Sequence, residues 1–314
     1  MAKILISYRI APRIRGWETG RMVAKAFVAL GHEVDEYAKE YQSGRWLCKT
    51  PSGLDLLLEP NLLLPDTKLS FIPENVFMRE YDLIVNLECN DPDPQYFELI
   101  GVKTKKRCVW HFDTSYYMDV ASHHISQYHP DHVFYANSKL VWNTRNASWL
   151  PYAADSRLHV RSPSHAKAYD IALVGSDRPD RRRLIATLQK AGIDARLISD
   201  VFKEDYVEAL ALARIVLNQN PPEGRGLLNM RYFETLAAGS MLLNNTGDGD
   251  ELTGLIPGIH FARYDNEEDL VEKAAYYIRN HDERIKVSCA GHEAFLKGHT
   301  YEHRAQEITD VIGL

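Results

Sequence analysis

"GLLNMRYFETLAAGSMLLNN", residues 226–245, decides how this chain is read. Met230, Phe233 and Ala237 recur at helical spacing and predict a helix over 228–238 with one apolar face. Gly239 stops it, and "SMLLN" over 240–244 reads as a buried strand. The opposite face of the helix carries Arg231 and Glu234 at i and i+3. Gly224 and Gly226 come just before, and glycine lets backbone approach a ligand closely. Asn229 and Arg231 fall in the first helical turn, where free N–H groups and partial positive charge favour phosphate. A carboxylate at Glu234 can then accept the hydroxyls of an adjoining ribose. The plainer alternative is a surface Arg–Glu pair worth a few tenths of a kcal/mol.

The same helix–strand rhythm extends to both sides. "YDIALVGS" (169–176) is a strand into a Gly-Ser turn, followed by a helix at 180–191, the strand "DARLIS" (194–199), the helix "DYVEALALA" (205–213) and the strand "RIVLNQ" (214–219). The tail is helical, with breaks near Asn280 and Gly298. Upstream, "KILISY" (3–8), a helix over 19–30 capped by Thr19 and stopped by Gly31, and "HEVDEY" make a βαβ unit. "YDLIVNLE" (81–88), "KRCVWHF" (106–112), "HVFYANS" (132–138) and "ASWLPYA" (147–153) continue as strands. "GLDLLLEPNLLLPDT" (53–67) is broken by Pro60 and Pro65 and reads as loop and short helix. The polar segment 154–168 reads as a linker. Two doubly wound α/β domains follow, 1–153 and 169–298, with a cleft between them.

Bulk properties agree with that class. The chain has 314 residues, 45% hydrophobic and 25% charged, enough for two cores. A net charge of −6 argues against a general polyanion binder. The four cysteines form no CxxC pair or zinc spacing. No secretory signal or membrane span is visible, so a cytoplasmic location is expected.

"GHEV" (31–34), "GSDRPDRRRLI" (175–185), "NMRYFETLAAGSMLL" (229–243) and "AGHEAFLKGHTYEHRA" (290–305) together resemble the GT-B glycosyltransferases. The resemblance is to the CgeB-like, spore-maturation-type group related to family four. It implies two Rossmann-like domains facing a central cleft, with the nucleotide sugar in the second and the acceptor in the first. It also implies that the last helix, 299–314, crosses back to the first domain. In the family, the glutamate matching Glu234 binds ribose. Family four usually has a second glutamate eight residues earlier, where this chain has Gly226.

Other candidates are weighed residue by residue. The Gly175-Ser176 turn ends a strand at the edge where doubly wound sheets bind ligands. Arg178 and Arg181 sit beside it as partners for a departing diphosphate, which gains charge in the transition state. Arginine at a helix start opposes the dipole, so the cluster makes more sense with an anion nearby. In "RIRGWETGR" (13–21), Gly16 and Trp17 stand where family four has a Gly-Gly against the donor phosphates. Arg9, Arg13, Arg15 and Arg21 make that loop basic, and Arg13 and Arg15 are expected to hold an anionic acceptor. Such an acceptor includes a lipid phosphate, a polysaccharide or a modified base in DNA.

"VWHFDTS" (109–115) puts His111 and Asp113 at a strand end. Inversion needs a base there; retention, towards which the resemblance leans, needs only contacts to the sugar. The histidines of "HHISQYHPDH" (123–132) lack the i, i+4 spacing of a helical metal pair. No metal or cofactor is expected beyond the donor, a UDP-sugar foremost. The expected activity is glycosyl transfer to a hydroxyl, with retention and without a metal. A nucleotide-sugar epimerase on the same fold and a non-catalytic coat component are the alternatives.

Overall fold

The apolar runs read as strands pair in parallel, as expected of strands buried on both faces. The computed structural model describes residues 1–10, 17–40, 47–49, 55–57, 70–71, 78–87, 101–112, 125, 128–143, 145–159, 167–220, 227–245 and 249–314. The chain divides into two units: residues 1–136, 140–150 and 301–314 form one, and 137–139 with 151–300 the other.

The first unit holds β1 (Lys3–Ile10), α1 (Thr19–Ala29), β2 (Glu33–Glu40), three short strands β3 (Leu47–Lys49), β4 (Asp55–Leu57) and β5 (Ser70–Phe71), then β6 (Glu80–Leu87), β7 (Lys103–His111), β8 (His132–Tyr135) and β9 (Ala147–Trp149). The main sheet has the order β2-β1-β6-β7-β8-β9, every pairing parallel. Its centre is a run of fully buried side chains, including Ile4, Leu5, Ile6, Leu83, Val85, Val109 and Trp110. Two local expectations are corrected. Asp55–Leu57, in the stretch read as loop and short helix, is a strand antiparallel to β3; three residues suffice to pair, and the nearby prolines do not interrupt them. Thr19 is the first helical residue of α1 and not its cap: Glu18 holds the cap position, and its carbonyl accepts from the Met22 N–H at 3.1 Å. Gly31 ends the helix at φ +87°, as glycine can. Gly20 sets how closely α1 lies on the sheet, since a Cβ there would meet the Tyr8 ring at 2.0 Å.

The second unit holds β10 (Tyr169–Val174), α2 (Pro179–Lys190), β11 (Ala195–Ile198), α3 (Lys203–Leu212), β12 (Ala213–Asn218), α4 (Met230–Ala237), β13 (Met241–Asn245), β14 (Ala262–Tyr264), α5 (Glu267–Arg279) and α6 (His281–Gly298). Its sheet is also all parallel, ordered β11-β10-β12-β13-β14. The strand order reverses at β10, which lies between β11 and β12. In an open parallel sheet that switch point leaves a crevice beyond the strand's carboxyl end. Ile171–Val174, Ile215–Leu217 and Met241–Leu243 are buried throughout. Ala154, Asp155 and His159, at the start of the segment read as a linker, are buried within this unit.

The last helix, α7 (Tyr301–Ile312), belongs to the first unit, where it packs on α1 and buries Tyr301, Ala305, Ile308 and Ile312. No helix among the described residues is long and apolar enough to cross a membrane.

Candidate active site

The switch point at β10 opens onto a cavity of 390 Å³ lined by Arg178, Arg181, Tyr206, Asn229, Arg231 and Glu234, among others. β10 ends at Val174, and the chain then turns through Gly175 at φ +147°. Only glycine fits here. A Cβ on Gly175 would lie 2.1 Å from Arg231 Nη2 and 3.0 Å from Arg181 Nη1. Two guanidinium groups from different helices therefore converge on bare backbone at the strand end.

Each is held by neutral groups. Arg181 Nη1 donates to the Ser176 carbonyl at 2.9 Å and to Ser176 Oγ at 2.8 Å. Arg231 Nη1 donates to Asn218 Oδ1 at 3.0 Å. Among the described residues, no carboxylate forms an ion pair with either one. The Arg181 side chain is buried, and its pKa is pushed down to about 10, first by burial and then by the charges of Arg231 and Arg178. Two uncompensated cations side by side in a half-enclosed cavity are costly unless an anion joins them.

Arg178 is placed differently. It occupies the position before Pro179 and makes a two-pronged pair with Asp180, Nε to Oδ1 at 3.1 Å and Nη2 to Oδ2 at 3.0 Å. Arg182 faces Asp177 at 3.3 Å. Of the three arginines near the turn, Arg181 alone is buried with its charge unanswered.

Asn229 caps α4, its side-chain oxygen accepting from the Tyr232 N–H at 3.3 Å. Behind it lies a lattice of asparagines at the carboxyl ends of β12 and β13. Asn218 Nδ2 donates to Asn244 Oδ1 at 2.8 Å, and the Asn220 N–H donates to Asn245 Oδ1 at 2.8 Å. The Asn229 N–H donates to Asn220 Oδ1 at 3.2 Å. The network fixes Asn218, and so fixes the acceptor that aims Arg231.

Glu234 is 7% exposed, which rules out the surface-pair alternative. Its Oε2 accepts from the Tyr206 hydroxyl at 2.5 Å, and its Oε1 stands 3.6 Å from His159 Nε2. Burial and the Glu234 charge both push the Tyr206 phenol well above its ordinary pKa, so it remains a donor. Phe233 and Ala237 pack into the core as expected, but Met230 does not: it is half-buried and lines the cavity. Its place in the first turn, beside the cap, turns it towards the opening.

Gly175, Ser176, Arg178, Arg181, Asn229, Arg231 and Glu234 thus surround one site within the second unit. Tyr206 on α3, His159 in the segment before β10, and Asn218 at the end of β12 complete it. Sequence reading passed over all three. In the first unit, His111 closes β7, buried, with its ring 5.8 Å from that of Tyr135. Trp17 is half-buried ahead of α1. Arg13, Arg15, Gly16, Asp113, His123, His124, Gly224 and Gly226 lie outside the described residues. His132 bonds Ser148 Oγ at 2.8 Å, and among the described residues no group of His, Cys, Asp or Glu is arranged to hold a metal.

With that geometry in hand, comparison with known proteins is direct. Residues 157–310 match the family described as glycosyl transferase-like. The chain carries a glycosyltransferase domain. No curated protein matches the sequence. Among solved structures, the chain is similar to HepE of Anabaena in complex with UDP-glucose, with a TM-score of 0.65 at 12% identity over 100% of both chains. It is similar to AviGT4, a glycosyltransferase involved in avilamycin A biosynthesis, with a TM-score of 0.64 at 13% identity over 100% of this chain and 97% of that one. It is also similar to sucrose-phosphate synthase from Thermosynechococcus elongatus, with a TM-score of 0.63 at 12% identity over 99% and 98%. The fold of this glycosyltransferase is therefore GT-B, with two parallel sheets flanked by helices.

Proposed function

We propose that this glycosyltransferase moves a sugar from a nucleoside diphosphate sugar, UDP-linked first among them, to an acceptor hydroxyl. The observation that carries the reading is the pair Arg181 and Arg231, converging on Gly175 with no carboxylate between them. A diphosphate supplies the missing negative charge. Its charge grows as the glycosidic bond breaks, so two fixed guanidiniums stabilise the transition state more than the ground state. Glu234, beside them, takes the ribose hydroxyls. His111, at the carboxyl end of β7, is the candidate to meet the transferred sugar or the acceptor.

Transfer proceeds with retention, towards which the family resemblance leans, and without a metal, since the guanidiniums provide the cationic charge for the leaving group. The ligand of HepE favours UDP as the carrier. The acceptor class follows only from the basic residues Arg13 and Arg15 and is an anionic molecule.

A thermal-shift panel of UDP-, GDP-, ADP- and dTDP-sugars tests the donor, because a ligand of the folded state raises the melting temperature by mass action. A UDP-sugar is expected to stabilise the protein and to be hydrolysed or transferred, with the turnover surviving EDTA. Arg231→Ala is expected to abolish both effects. Failure of every nucleotide sugar to shift the wild-type protein overturns the reading.

A further inference from the structure

The second unit has another cavity, at the opposite edge of its sheet. It measures 520 Å³ and is lined by Lys167, Arg214, Gly239, Ile278, His281, Arg284, Ile285 and Ser288. Lys167 precedes β10, Arg214 is the second residue of β12, and Gly239 precedes β13, so the cavity opens at the strands' amino ends. β12 spans six residues, about 20 Å at ~3.3 Å per residue, so the diphosphate pocket at the carboxyl ends is a separate place.

Its lining is basic. One lysine and two arginines line it, and no carboxylate does. Asp170 answers Arg214 from outside the lining. Arg284, buried at 5% exposure, has neutral acceptors: the carbonyls of Tyr277 at 2.8 Å and Ile278 at 3.3 Å, and His281 Nδ1 at 2.6 Å. Those bonds cap the end of α5 and hold the guanidinium still. Burial pushes its pKa down and the Arg214 charge pushes it further, while the Asp170 carboxylate, paired with Arg214, offsets part of this. Lys167 Nζ is held in place by the Ala211 carbonyl at 2.5 Å and Ser240 Oγ at 3.3 Å. With Nδ1 of His281 accepting from Arg284, its other ring nitrogen carries the proton and is a donor. Ile278 and Ile285 give the cavity an apolar wall.

We propose that this cavity is a second anion site, built for a phosphate monoester whose organic part rests on Ile278 and Ile285. Lys167, Arg214 and Arg284 hold the phosphate dianion, and the volume leaves room for a group the size of a sugar. The site is independent of the donor pocket.

The test measures binding of glucose 6-phosphate and of inorganic phosphate by isothermal titration calorimetry. It uses wild-type protein, Arg231→Ala, Arg214→Gln and Lys167→Met. Arg231→Ala removes the donor pocket's contribution. The expected result is saturable binding of the sugar phosphate in both wild type and Arg231→Ala. It weakens at least tenfold in Arg214→Gln and in Lys167→Met, while both of those bind UDP as the wild type does. Tighter binding of the sugar phosphate than of inorganic phosphate supports the ester site, and equal or tighter binding of inorganic phosphate overturns the assignment to an ester. Loss of all phosphate binding in Arg231→Ala overturns the proposal, as does binding indifferent to Arg214→Gln. Wild-type UDP binding, measured in parallel, reports on the donor pocket separately.

Discussion

Arg181 carries its charge at a cost to the folded protein. Its folded pKa of about 10 lies below its ordinary value. Between that value and the unfolded one, the folded state sheds a proton that the unfolded state keeps, so the penalty fades as pH rises through this alkaline window. At neutral pH the penalty is fully present. Arg181→Met is therefore expected to raise the melting temperature of the ligand-free protein by roughly 1–2 °C, about 1 kcal/mol for a chain of this size. The same change is expected to weaken UDP about tenfold or more, since a charge-assisted hydrogen bond contributes ~1.5–3 kcal/mol. A thermal scan and a titration check the two halves; an Arg181→Met protein that is less stable yet binds UDP normally would show the guanidinium to be structural. Tyr206 gives a second prediction at this scale. Its hydroxyl donates to Glu234 Oε2, one of the two carboxylate oxygens that the proposed ribose contact would use. Tyr206→Phe frees that oxygen, so UDP is expected to bind a few-fold tighter while inorganic pyrophosphate, which has no ribose, binds unchanged. A parallel change in both ligands would place Tyr206 on the phosphate side of the pocket.

Between elements, the aim of Arg231 depends on side chains from two neighbouring strands. Asn218 is fully buried at the end of β12 and bridges Arg231 to Asn244 on β13. Removing it leaves a half-buried guanidinium and the buried Asn244 amide short of a partner. Asn218→Ala is expected to cost roughly 2 kcal/mol in chemical denaturation, within the ~1–3 kcal/mol of an unsatisfied buried group, and to weaken UDP as well. Chemical denaturation that leaves the variant at wild-type stability would detach the asparagine network from the site. The same elements show what the sequence made legible. The long strands β1, β6, β10 and β12 each carry a continuous apolar run, Ile4–Ile6, Leu83–Val85, Ile171–Val174 and Ile215–Leu217, because both faces are covered there, and α4 announced itself through its spacing and glycine stop. Arg231 and Glu234 could be placed together because one helix carries both. Tyr206, His159 and Asn218 sit on three other segments, and nothing local marks them: Tyr206 reads as part of an amphipathic helix, His159 as part of a polar connector, Asn218 as a strand end. Only the parallel crossover topology brings them to Glu234 and Arg231. The short strand β14, three residues long, left no pattern to detect.

For the molecule as a whole, chain order and unit membership part company. The last fourteen residues, 301–314, complete the unit that the first residues begin. Ile308 of α7 is fully buried, and α7 covers α1, whose Ala26 and Phe27 are themselves buried. Lys106 Nζ ties to the Ile312 carbonyl at the far end of that helix. The residues lining the diphosphate pocket, by contrast, all fall between 151 and 300. A cavity-forming change in α7 should then separate stability from donor binding. Ile308→Ala removes buried methyl and methylene groups and is expected to cost about 2–4 kcal/mol, the range for such truncations. Because Arg181, Arg231 and Glu234 are positioned by β10, β12, α2, α3 and α4, all in the second unit, UDP affinity in that variant is expected to stay within about twofold of wild type, a difference under ~0.5 kcal/mol. Calorimetric unfolding with and without UDP reads both quantities in one experiment. A large loss of UDP affinity in Ile308→Ala would mean that the first unit takes part in forming the donor pocket, and that a pocket built from the second unit alone is incomplete.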